Sequence, residues 1–357
     1  MQTMTDLEKL CSRVTEAADC AVITDDVNRR YFTAMKSSAG TLVVFPEKAY
    51  FIIDFRYIEK AKKTVTACEV ILQDKLYEQI NSLIEKHGAK TVSVNADTCT
   101  LSELIAYQQK LNAEVIADTK LAEIIREIRT VKSQEQIDKI IKAQRIAEKG
   151  FAHMLDFIKV GRTEKEIQLE LDYYMLKNGA EALSFDTIAL SGSNTSLPHG
   201  VPSDKKVESG EFVLMDFGAT YDGWHSDMTR TVCVGKPSDK MKSVYETVLT
   251  AQLTALDAVK AGMSGKALDK IARDIIIEAG YGDNFGHSLG HGVGVEIHES
   301  PYASPSREDI LPENSIVTVE PGIYLEGKFG VRIEDFVVVT ENGCINMTKA
   351  PKELICL

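Results

Sequence analysis

The part of the chain after residue 128 repeats one order of elements, in which two helices precede a β-rich stretch. Capping-box and glycine signals mark the helix ends, and the strands are rich in β-branched residues. The repeat consists of helices that open at Ser133 and Thr163, strands within 185–234, helices at 238–261 and 264–279, and strands within 285–340. The duplication is predicted from element order alone, since the halves share no apparent sequence identity. This order predicts an α+β domain, 129–357, with an internal duplication.

The first 128 residues have a different pattern, in which short β-prone runs alternate with helical ones. The runs 41–45 and 50–53 flank Pro46-Glu47-Lys48 as a predicted hairpin. Such alternation predicts a small α/β domain, 1–128. A chain of 357 residues has room for two domains, each with its own core and without help from disulfides.

The acidic excess of the chain excludes one class of partner. Asp and Glu number 53 against 41 Lys and Arg, a net charge of −12, so binding to nucleic acid or anionic lipid would work against the protein's own field.

The first residues carry neither the basic nor the apolar region of a signal peptide, and no apolar run approaches the length of a membrane span. The seven cysteines are odd in number and form no CxxC pair. We therefore expect a soluble, cytoplasmic protein with reduced cysteines.

The first β-rich stretch is predicted to hold two acidic residues face to face. The β-prone runs 212–218 and 227–233 flank a hairpin turn signal at 221–223. The midpoint of Asp216 and Asp227 falls on that turn, so we expect the two carboxylates to lie nearly opposite each other, with Cβ atoms about 5 Å apart. Like charges at that distance destabilise a sheet unless a cation lies between them.

The second β-rich stretch repeats this arrangement. Two β-prone runs flank a turn signal centred on Gly327, and Gly327 is also the midpoint between Glu320 and Glu334. Any one of these four acidic residues could lie on a solvated outward face, as most Asp and Glu do. Because each is flanked by apolar residues and each pair is centred on a turn, the four together favour a buried carboxylate cage.

Four of the seven histidines fall in two short motifs, Pro198-His199-Gly200 and the glycine-rich segment 287–299. The second motif contains His287, His291 and His298. Glycine at positions 286, 290, 292 and 294 disfavours a helix there, and we predict extended backbone in which glycine permits close approach. A lone histidine is usually structural, but histidines clustered beside paired carboxylates are candidates for a functional site.

One imidazole and four carboxylates form an oxygen-rich site with a charge of −4, which two divalent cations would neutralise. Such a donor set favours hard or borderline metals such as manganese. A dinuclear centre with metals about 3.5 to 4 Å apart generates hydroxide near neutral pH. Hydrolysis is therefore the chemistry that the site predicts.

In order and in context, five residues resemble the metal ligands of the pita-bread dinuclear metallopeptidases: Asp216, Asp227, His291, Glu320 and Glu334. The contexts are Met-Asp-Phe-Gly, Ser-Asp-Met-Thr-Arg, Gly-His-Gly-Val-Gly, Val-Glu-Pro-Gly and Arg-Ile-Glu-Asp. The chain is most similar to the Xaa-Pro aminopeptidase and Xaa-Pro dipeptidase branch, and segments 38–41 and 53–57 resemble aminopeptidase P-like sequences. The resemblance implies an α/β N-terminal domain of the creatinase/prolidase type and an α+β pita-bread catalytic domain with a pseudo-two-fold duplication.

The resemblance also implies a role for each ligand. Asp227 and Glu334 would bridge two divalent metal ions, Asp216 would complete the shell of one ion, and His291 with Glu320 would complete the other. Manganese is the expected metal, with cobalt and zinc as alternatives.

Further roles follow from the same resemblance. A metal-bridging hydroxide would attack the carbonyl before proline, with Glu320 as general base. His199 and His298 would hydrogen-bond the substrate and stabilise the oxyanion. Arg332 is expected to fix a ligand carboxylate, with a plain structural ion pair as the alternative. Two more residues are implied in the pocket: His287 and Tyr324.

The function implied is a metal-dependent exopeptidase that hydrolyses the N-terminal Xaa-Pro bond of small peptides with proline in the second position. The N-terminal resemblance favours aminopeptidase P. The alternatives are a Xaa-Pro dipeptidase (prolidase), which acts when the substrate ends at proline, and a non-catalytic pita-bread binding module. The family also leads us to expect a homodimer, with the N-terminal domain restricting access to the site.

Overall fold

A computed structural model describes residues 4–357, which divide into two compact units, 4–129 and 130–357. The first unit is built on one six-stranded mixed sheet, in the order β4-β3-β2-β1-β5-β6. Its strands are β1 Cys20–Ile23, β2 Thr41–Val44, β3 Ala49–Ile53, β4 Glu69–Leu72, β5 Thr91–Val94 and β6 Glu114–Ile116. Its helices are α1 Asp6–Arg13, α2 Asp26–Thr33, α3 Ile58–Thr64, α4 Leu76–His87, α5 Leu101–Lys110 and α6 Lys120–Thr130.

This unit confirms the predicted α/β class, but three of its elements were missed. The elements α1, β1 and α2 lie before the first predicted strand, and β1 is a central strand that pairs with β2 and β5. All four residues of β1 are buried. A buried strand of four apolar residues has no alternation of polar and apolar positions, so periodicity does not reveal it. Two apolar clusters use alternate residues of the strands; for example, Ala21 belongs to one cluster and Val22 to the other.

The second unit contains the predicted duplication. Its first half runs α7 Gln134–Phe157, α8 Glu164–Lys177, β7 Ala182–Leu183, β8 Ile188–Ser191, β9 Glu211–Phe217, β10 Ala219–Tyr221, β11 Trp224–His225 and β12 Met228–Val234. Its second half runs α9 Asp239–Ala258, α10 Gly265–Glu278, β13 Gly290–Gly292, β14 Glu299–Ala303, β15 Ile316–Val319, β16 Gly322–Leu325, β17 Phe329–Arg332, β18 Asp335–Thr340 and β19 Gly343–Asn346. The capping boxes at Ser133 and Thr163 form as predicted. None of the helices within 4–357 combines the length and apolar character that a membrane crossing requires.

Strand alternation separates the core from the candidate site. In β9, Val213 and Met215 pack into the core beneath α7 and α8, so Asp216 between Met215 and Phe217 points to the opposite face. In β15, Val317 and Val319 pack into the core beneath α9 and α10, which leaves Thr318 on the opposite face. Each half therefore buries one face of its strands against its own helices and offers the other face to the site.

The first hairpin of this unit has a register that differs from the prediction. Asp216 pairs with Thr229, and Tyr221 pairs with Trp224, so the turn consists of two residues, Asp222 and Gly223. The prediction that Asp216 lies opposite Asp227 was therefore wrong by two positions. Since residues two apart share a face, the two carboxylates lie diagonally across the hairpin on the same face.

The second hairpin keeps the predicted register. Gly322 pairs with Arg332 in the β16–β17 ladder, and Val319 pairs with Asp335 in the β15–β18 ladder. One register thus runs through both ladders. In that register Glu320 and Glu334 fall opposite each other, in the gap between the two ladders.

Candidate metal centre

Five predicted ligands converge between the two halves of the second unit. Ligand atoms of Asp227, His291 and Glu334 all lie within 4.8 Å of one another. The Nε2 atom of His291 is 3.3 Å from Oε1 of Glu320 and 3.6 Å from Oδ2 of Asp227. The charge of Asp216 acts on both Asp227 and Glu334. The structure thus brings four carboxylates and one imidazole into a single cluster.

The orientation of His291 is set by its own backbone. Its Nδ1 lies 3.1 Å from the carbonyl oxygen of Gly292 and donates to it, so Nε2 faces the carboxylates. A Cβ at Gly290 would collide with the carbonyl of Thr318, and one at Gly292 would collide with that of Ser300. The predicted extended, glycine-dependent backbone is confirmed, with β13 running through His291.

The cluster carries more negative charge than its own cations balance. Burial and the charge of Asp216 raise the pKa of Asp227 well above its usual range, and burial and the charge of Asp227 do the same to the pKa of Glu334. Burial alone would raise the pKa of Glu320, but the hydrogen bond to His291 lowers it to about 2. Burial opposes protonation of His291, yet its contacts with Glu320 and Asp227 raise its pKa to about 9. One imidazole is thus shared among carboxylates that need a further cation.

Two carboxylate oxygens supply a direct test of whether metal ions fit. Oδ1 of Asp216 and Oε1 of Glu334 are buried and have no hydrogen-bond partner among residues 4–357. Leaving a buried charged acceptor unpaired costs free energy, so native proteins rarely do it without a ligand or ion. Carboxylate oxygens with one imidazole form a donor set for divalent metals. The residues present therefore fit divalent cations.

Arg332 links the two hairpins at this site. Its Nη2 donates to Oδ2 of Asp216 at 2.6 Å, and its Nε donates to Oγ1 of Thr229 at 3.1 Å. Its Nη1 donates to the hydroxyl of Tyr324 at 2.7 Å. The side chain is buried, so these charge-assisted hydrogen bonds are shielded from water. Arg332 thus holds the Asp216 carboxylate with its second oxygen directed into the cluster.

The two predicted pocket residues continue this network. Nδ1 of His287 lies 2.8 Å from the carbonyl of Ser288 and donates to it, so Nε2 accepts from the hydroxyl of Tyr324 at 2.9 Å. Burial lowers the pKa of His287 and raises that of Tyr324 to about 12. Both side chains are therefore neutral near pH 7.

His199 and His298 border the solvent-exposed side of the cluster. Both are exposed, and the ring of His298 stands edge-on to His291, with centroids 4.3 Å apart. Burial and the charge of His291 lower the pKa of His298, and His199 adds to this effect. His199 follows a short 3₁₀ helix, Gly192–Ser196. The structure thus places both imidazoles beside the cluster, where a substrate could reach them.

Two threonines complete the site, and neither was predicted from the sequence. Oγ1 of Thr229 donates to Oε2 of Glu334 at 2.8 Å. Oγ1 of Thr318 donates to Oε1 of Glu320 at 3.0 Å and accepts from the backbone N–H of His291 at 3.0 Å. Each threonine lies two positions from a ligand on an extended segment, so the period of two could have placed both on the site face.

Buried ion pairs support the ligand-bearing strands from behind. Arg230 donates to Asp335 at 2.7 Å, and Lys352 donates to the other oxygen of that carboxylate at 2.7 Å. Lys132 donates to Glu299, the residue after His298, at 2.6 Å. These partners are more than 15 residues apart in the chain, so no local pattern indicates them.

Comparison with known proteins agrees with this site. Residues 138–341 match Metallopeptidase family M24, and residues 7–131 match the Creatinase/Prolidase N-terminal domain. The chain is 40% identical over 352 residues to the Xaa-Pro dipeptidase of Pyrococcus furiosus. The aligned region covers 98% of this chain and 99% of that relative. The solved structure of Xaa-Pro dipeptidase from Bacillus anthracis has a TM-score of 0.95 and 41% identity and covers 99% of each chain. The X-Pro aminopeptidase from Thermotoga maritima has a TM-score of 0.90 and 39% identity, covering 95% of this chain and 98% of that one.

These likenesses span both units of the chain. They confirm the fold class and the family predicted from the sequence. The members of this family depend on a pair of metal ions, in agreement with the Asp227, His291 and Glu334 cluster. The chain belongs to metallopeptidase family M24 and is a peptidase with a creatinase/prolidase-type N-terminal domain.

Proposed function

We propose that this protein is a Xaa-Pro dipeptidase, which cleaves the bond before proline when the substrate ends at that proline. The observation that carries the proposal is full-length identity of about two residues in five to proteins named Xaa-Pro dipeptidase. The resemblance of segments 38–41 and 53–57 favours aminopeptidase P, whereas the names of the relatives favour the dipeptidase. Aminopeptidase P is the second candidate, because the Thermotoga maritima relative carries that name.

The ligand assignment is part of the proposal. On the family resemblance, Asp227 and Glu334 would contact both cations, and their ligand atoms lie within 4.8 Å of each other and of His291. Asp216, held by Arg332, would complete the shell of one cation, and His291 with Glu320 would complete the other. The expected metal is manganese, with cobalt and zinc as alternatives. When bound, the cations would lower the pKa of a water molecule and polarise the scissile carbonyl.

Glu320 is the proposed general base. Thr318 donates to its Oε1 and so fixes the carboxylate, which would take a proton from water and return it to the proline nitrogen. The proline nitrogen of a Xaa-Pro bond carries no hydrogen, and the returned proton lets it leave as a secondary amine when the C–N bond breaks.

The remaining residues would bind and orient the substrate. His199 and His298 line the exposed side, where their N–H groups can donate to the carbonyl oxygen as negative charge develops on it. The network from Arg332 through Tyr324 to His287 would hold one wall of the pocket rigid, since each hydroxyl and ring nitrogen in it has a fixed partner.

A peptide panel tests the proposal. The full-length protein is stripped with a chelator, reloaded with manganese, cobalt or zinc, and assayed on Xaa-Pro, Xaa-Pro-Yaa and Xaa-Ala peptides. We expect metal-dependent cleavage of Xaa-Pro dipeptides, no cleavage of Xaa-Ala, and little cleavage of Xaa-Pro-Yaa. Efficient turnover of the tripeptides alone would establish aminopeptidase P instead, and no turnover by any metal-loaded form would favour a non-catalytic binding module.

A homodimer is also part of the proposal, as an expectation from the family. Light scattering of the purified protein at its working concentration tests it. A monomeric mass would overturn it without affecting the assignment of the reaction.

A further inference from the structure

We propose that Glu164 is a positioning residue that holds His199 toward the substrate through the segment 191–203. Glu164 is the first residue of α8, and its side chain is fully buried. The inference rests on the proposed function, because His199 is a substrate-binding group only if the site cleaves peptides.

The Glu164 carboxylate accepts hydrogen bonds from both ends of this segment. Oε1 of Glu164 accepts from the backbone N–H of Ser191 at 2.7 Å, from its hydroxyl at 3.2 Å and from Nδ2 of Asn194 at 3.0 Å. Oε2 accepts from the backbone N–H of Ser203 at 2.9 Å, from its hydroxyl at 2.6 Å and from Nδ2 of Asn194 at 3.2 Å. All six hydrogen bonds come from the segment that carries His199. The carboxylate thus acts as a clamp at the base of a loop.

The backbone of α8 strengthens the same clamp. The N–H of Glu164 donates to the carbonyl of Lys205 at 3.1 Å, and the N–H of Lys165 donates to that of Ser203 at 3.1 Å. These are orphan donors of the first helical turn, where a negative side chain is also favoured by the helix dipole. The end of the loop is therefore fixed to a helix terminus rather than to another loop.

His199 depends on its backbone for its position. Its imidazole makes no hydrogen bond within the part of the chain that the structure describes, and its neighbours Leu197 and Val201 are 53% and 84% exposed. The inner side of the segment is attached to the second hairpin, where the N–H of Gly330 donates to Oγ1 of Thr195 at 2.8 Å. Glu164 fixes the outer side. Loosening it should move His199 relative to the metal site while leaving all five ligands in place.

A double-mutant cycle tests the inference. Glu164→Gln replaces one acceptor oxygen by an amide NH₂ that faces donors, and we expect kcat/KM for a Xaa-Pro dipeptide to fall about tenfold to a hundredfold. The metal content should stay that of the wild type. In a His199→Ala background the same change should lower kcat/KM less than about twofold, because its effect passes through His199.

The cycle is also measured on binding, so that weak activity of His199→Ala does not end the test. The Kd of a non-hydrolysable reduced Xaa-Pro analogue is determined by calorimetry on all four metal-loaded proteins. The inference is overturned if Glu164→Gln weakens binding and lowers kcat/KM by the same factor in the wild-type and the His199→Ala backgrounds. Glu164 would then be a structural residue only.

Two further variants guard against misfolding. Ser203→Ala removes one hydroxyl of the clamp and should lower kcat/KM less than Glu164→Gln does. In a His199→Ala background, Ser203→Ala should have little further effect. Glu170→Gln lies on the same helix, pairs with His153 at 2.7 Å and is half exposed, so it should behave as the wild type. A wild-type protein that cleaves no Xaa-Pro peptide would overturn the proposed function, whereas additive losses in an active enzyme would overturn this inference alone.

Discussion

Two hairpins build the candidate metal centre, and they place their carboxylates differently. In the hairpin of β15 to β18, Glu320 and Glu334 lie directly opposite each other. In the hairpin of β9 to β12, Asp216 and Asp227 lie diagonally, because Asp216 pairs with Thr229. The difference originates in the turns rather than in the strands.

The turn residues set each register. Asp222 and Gly223 have φ of 49° and 82°, which is the two-residue type I′ turn that an Asp-Gly pair favours. The other turn has three residues between the paired Leu325 and Phe329, with Gly327 at φ 66°. The centre of a two-residue turn lies between two residues, whereas the centre of a three-residue turn lies on its middle residue. Turn chemistry is therefore a better guide to register than the symmetric spacing of acidic residues.

The largest expected effect comes from removing one central carboxylate from either hairpin. Asp227→Asn and Glu334→Gln each keep the side-chain volume but remove a charge from the centre of the cluster. We expect each to lower kcat/KM by more than about 10³-fold and to reduce the bound metal below two ions per chain, because the proposed ligand serves both cations. Metal analysis and kinetics on the same preparation measure both effects.

Metal-free protein supplies the control for this pair. Without cations, burial and the neighbouring carboxylates raise the pKa of both Asp227 and Glu334, so the charged form is already disfavoured there. Neither neutral variant should therefore be less stable than metal-free wild type. Asp222→Asn in the exposed turn of the first hairpin should retain full activity. Two bound metals together with wild-type activity in Asp227→Asn would contradict the ligand assignment for that hairpin.

A smaller effect is expected from cutting the link between the hairpins. Arg332 lies on the second hairpin and holds Asp216 of the first. Arg332→Lys keeps the charge but loses the fork that contacts Asp216 and Tyr324 together. We expect metal affinity to fall about tenfold to a hundredfold, measured by calorimetry. Arg307→Lys, on an exposed arginine, is the matched control, and an unchanged affinity in Arg332→Lys would make the contact a plain structural ion pair.

The sequence predicted the parts of the molecule that depend on local pattern. Capping boxes located α7 and α8, and the glycine run around His291 indicated its extended backbone. The missed β1 is a short strand buried on both faces, where no periodicity exists. The five proposed ligands could be singled out because each stands in a distinctive sequence context, whereas partners such as Lys132 and Glu299 are 167 residues apart and meet only in the folded chain.

A third effect is expected from removing either of the two threonine hydroxyls that donate to the glutamates of the second hairpin. Thr229 reaches Glu334 from the first hairpin, whereas Thr318 reaches Glu320 from its own. Thr229→Val and Thr318→Val should each destabilise the protein by about 1–3 kcal/mol and weaken metal binding, since a buried carboxylate oxygen loses its donor. The two effects should be similar in size, because Thr229 also accepts from Nε of Arg332 and Thr318 also accepts from the backbone N–H of His291. Serine at either position should restore the stability and the metal binding, which would support the prediction. An unchanged Tm in either valine variant would contradict it.

The smallest expected effect tests the turns themselves. Gly327 has φ 66° and open space where a Cβ would lie, so Gly327→Ala meets no clash and adds only the backbone cost of a left-handed conformation. We expect a loss of about 1–2 kcal/mol in the free energy of unfolding, with unchanged kcat, because the register still holds Glu320 opposite Glu334. Gly327→Asn should lose less, since asparagine adopts this conformation more readily, as aspartate does at position 222 of the first turn. Equal losses in both variants would show that the cost lies in packing rather than in the backbone, and a fall in kcat would show that the turn no longer fixes the register.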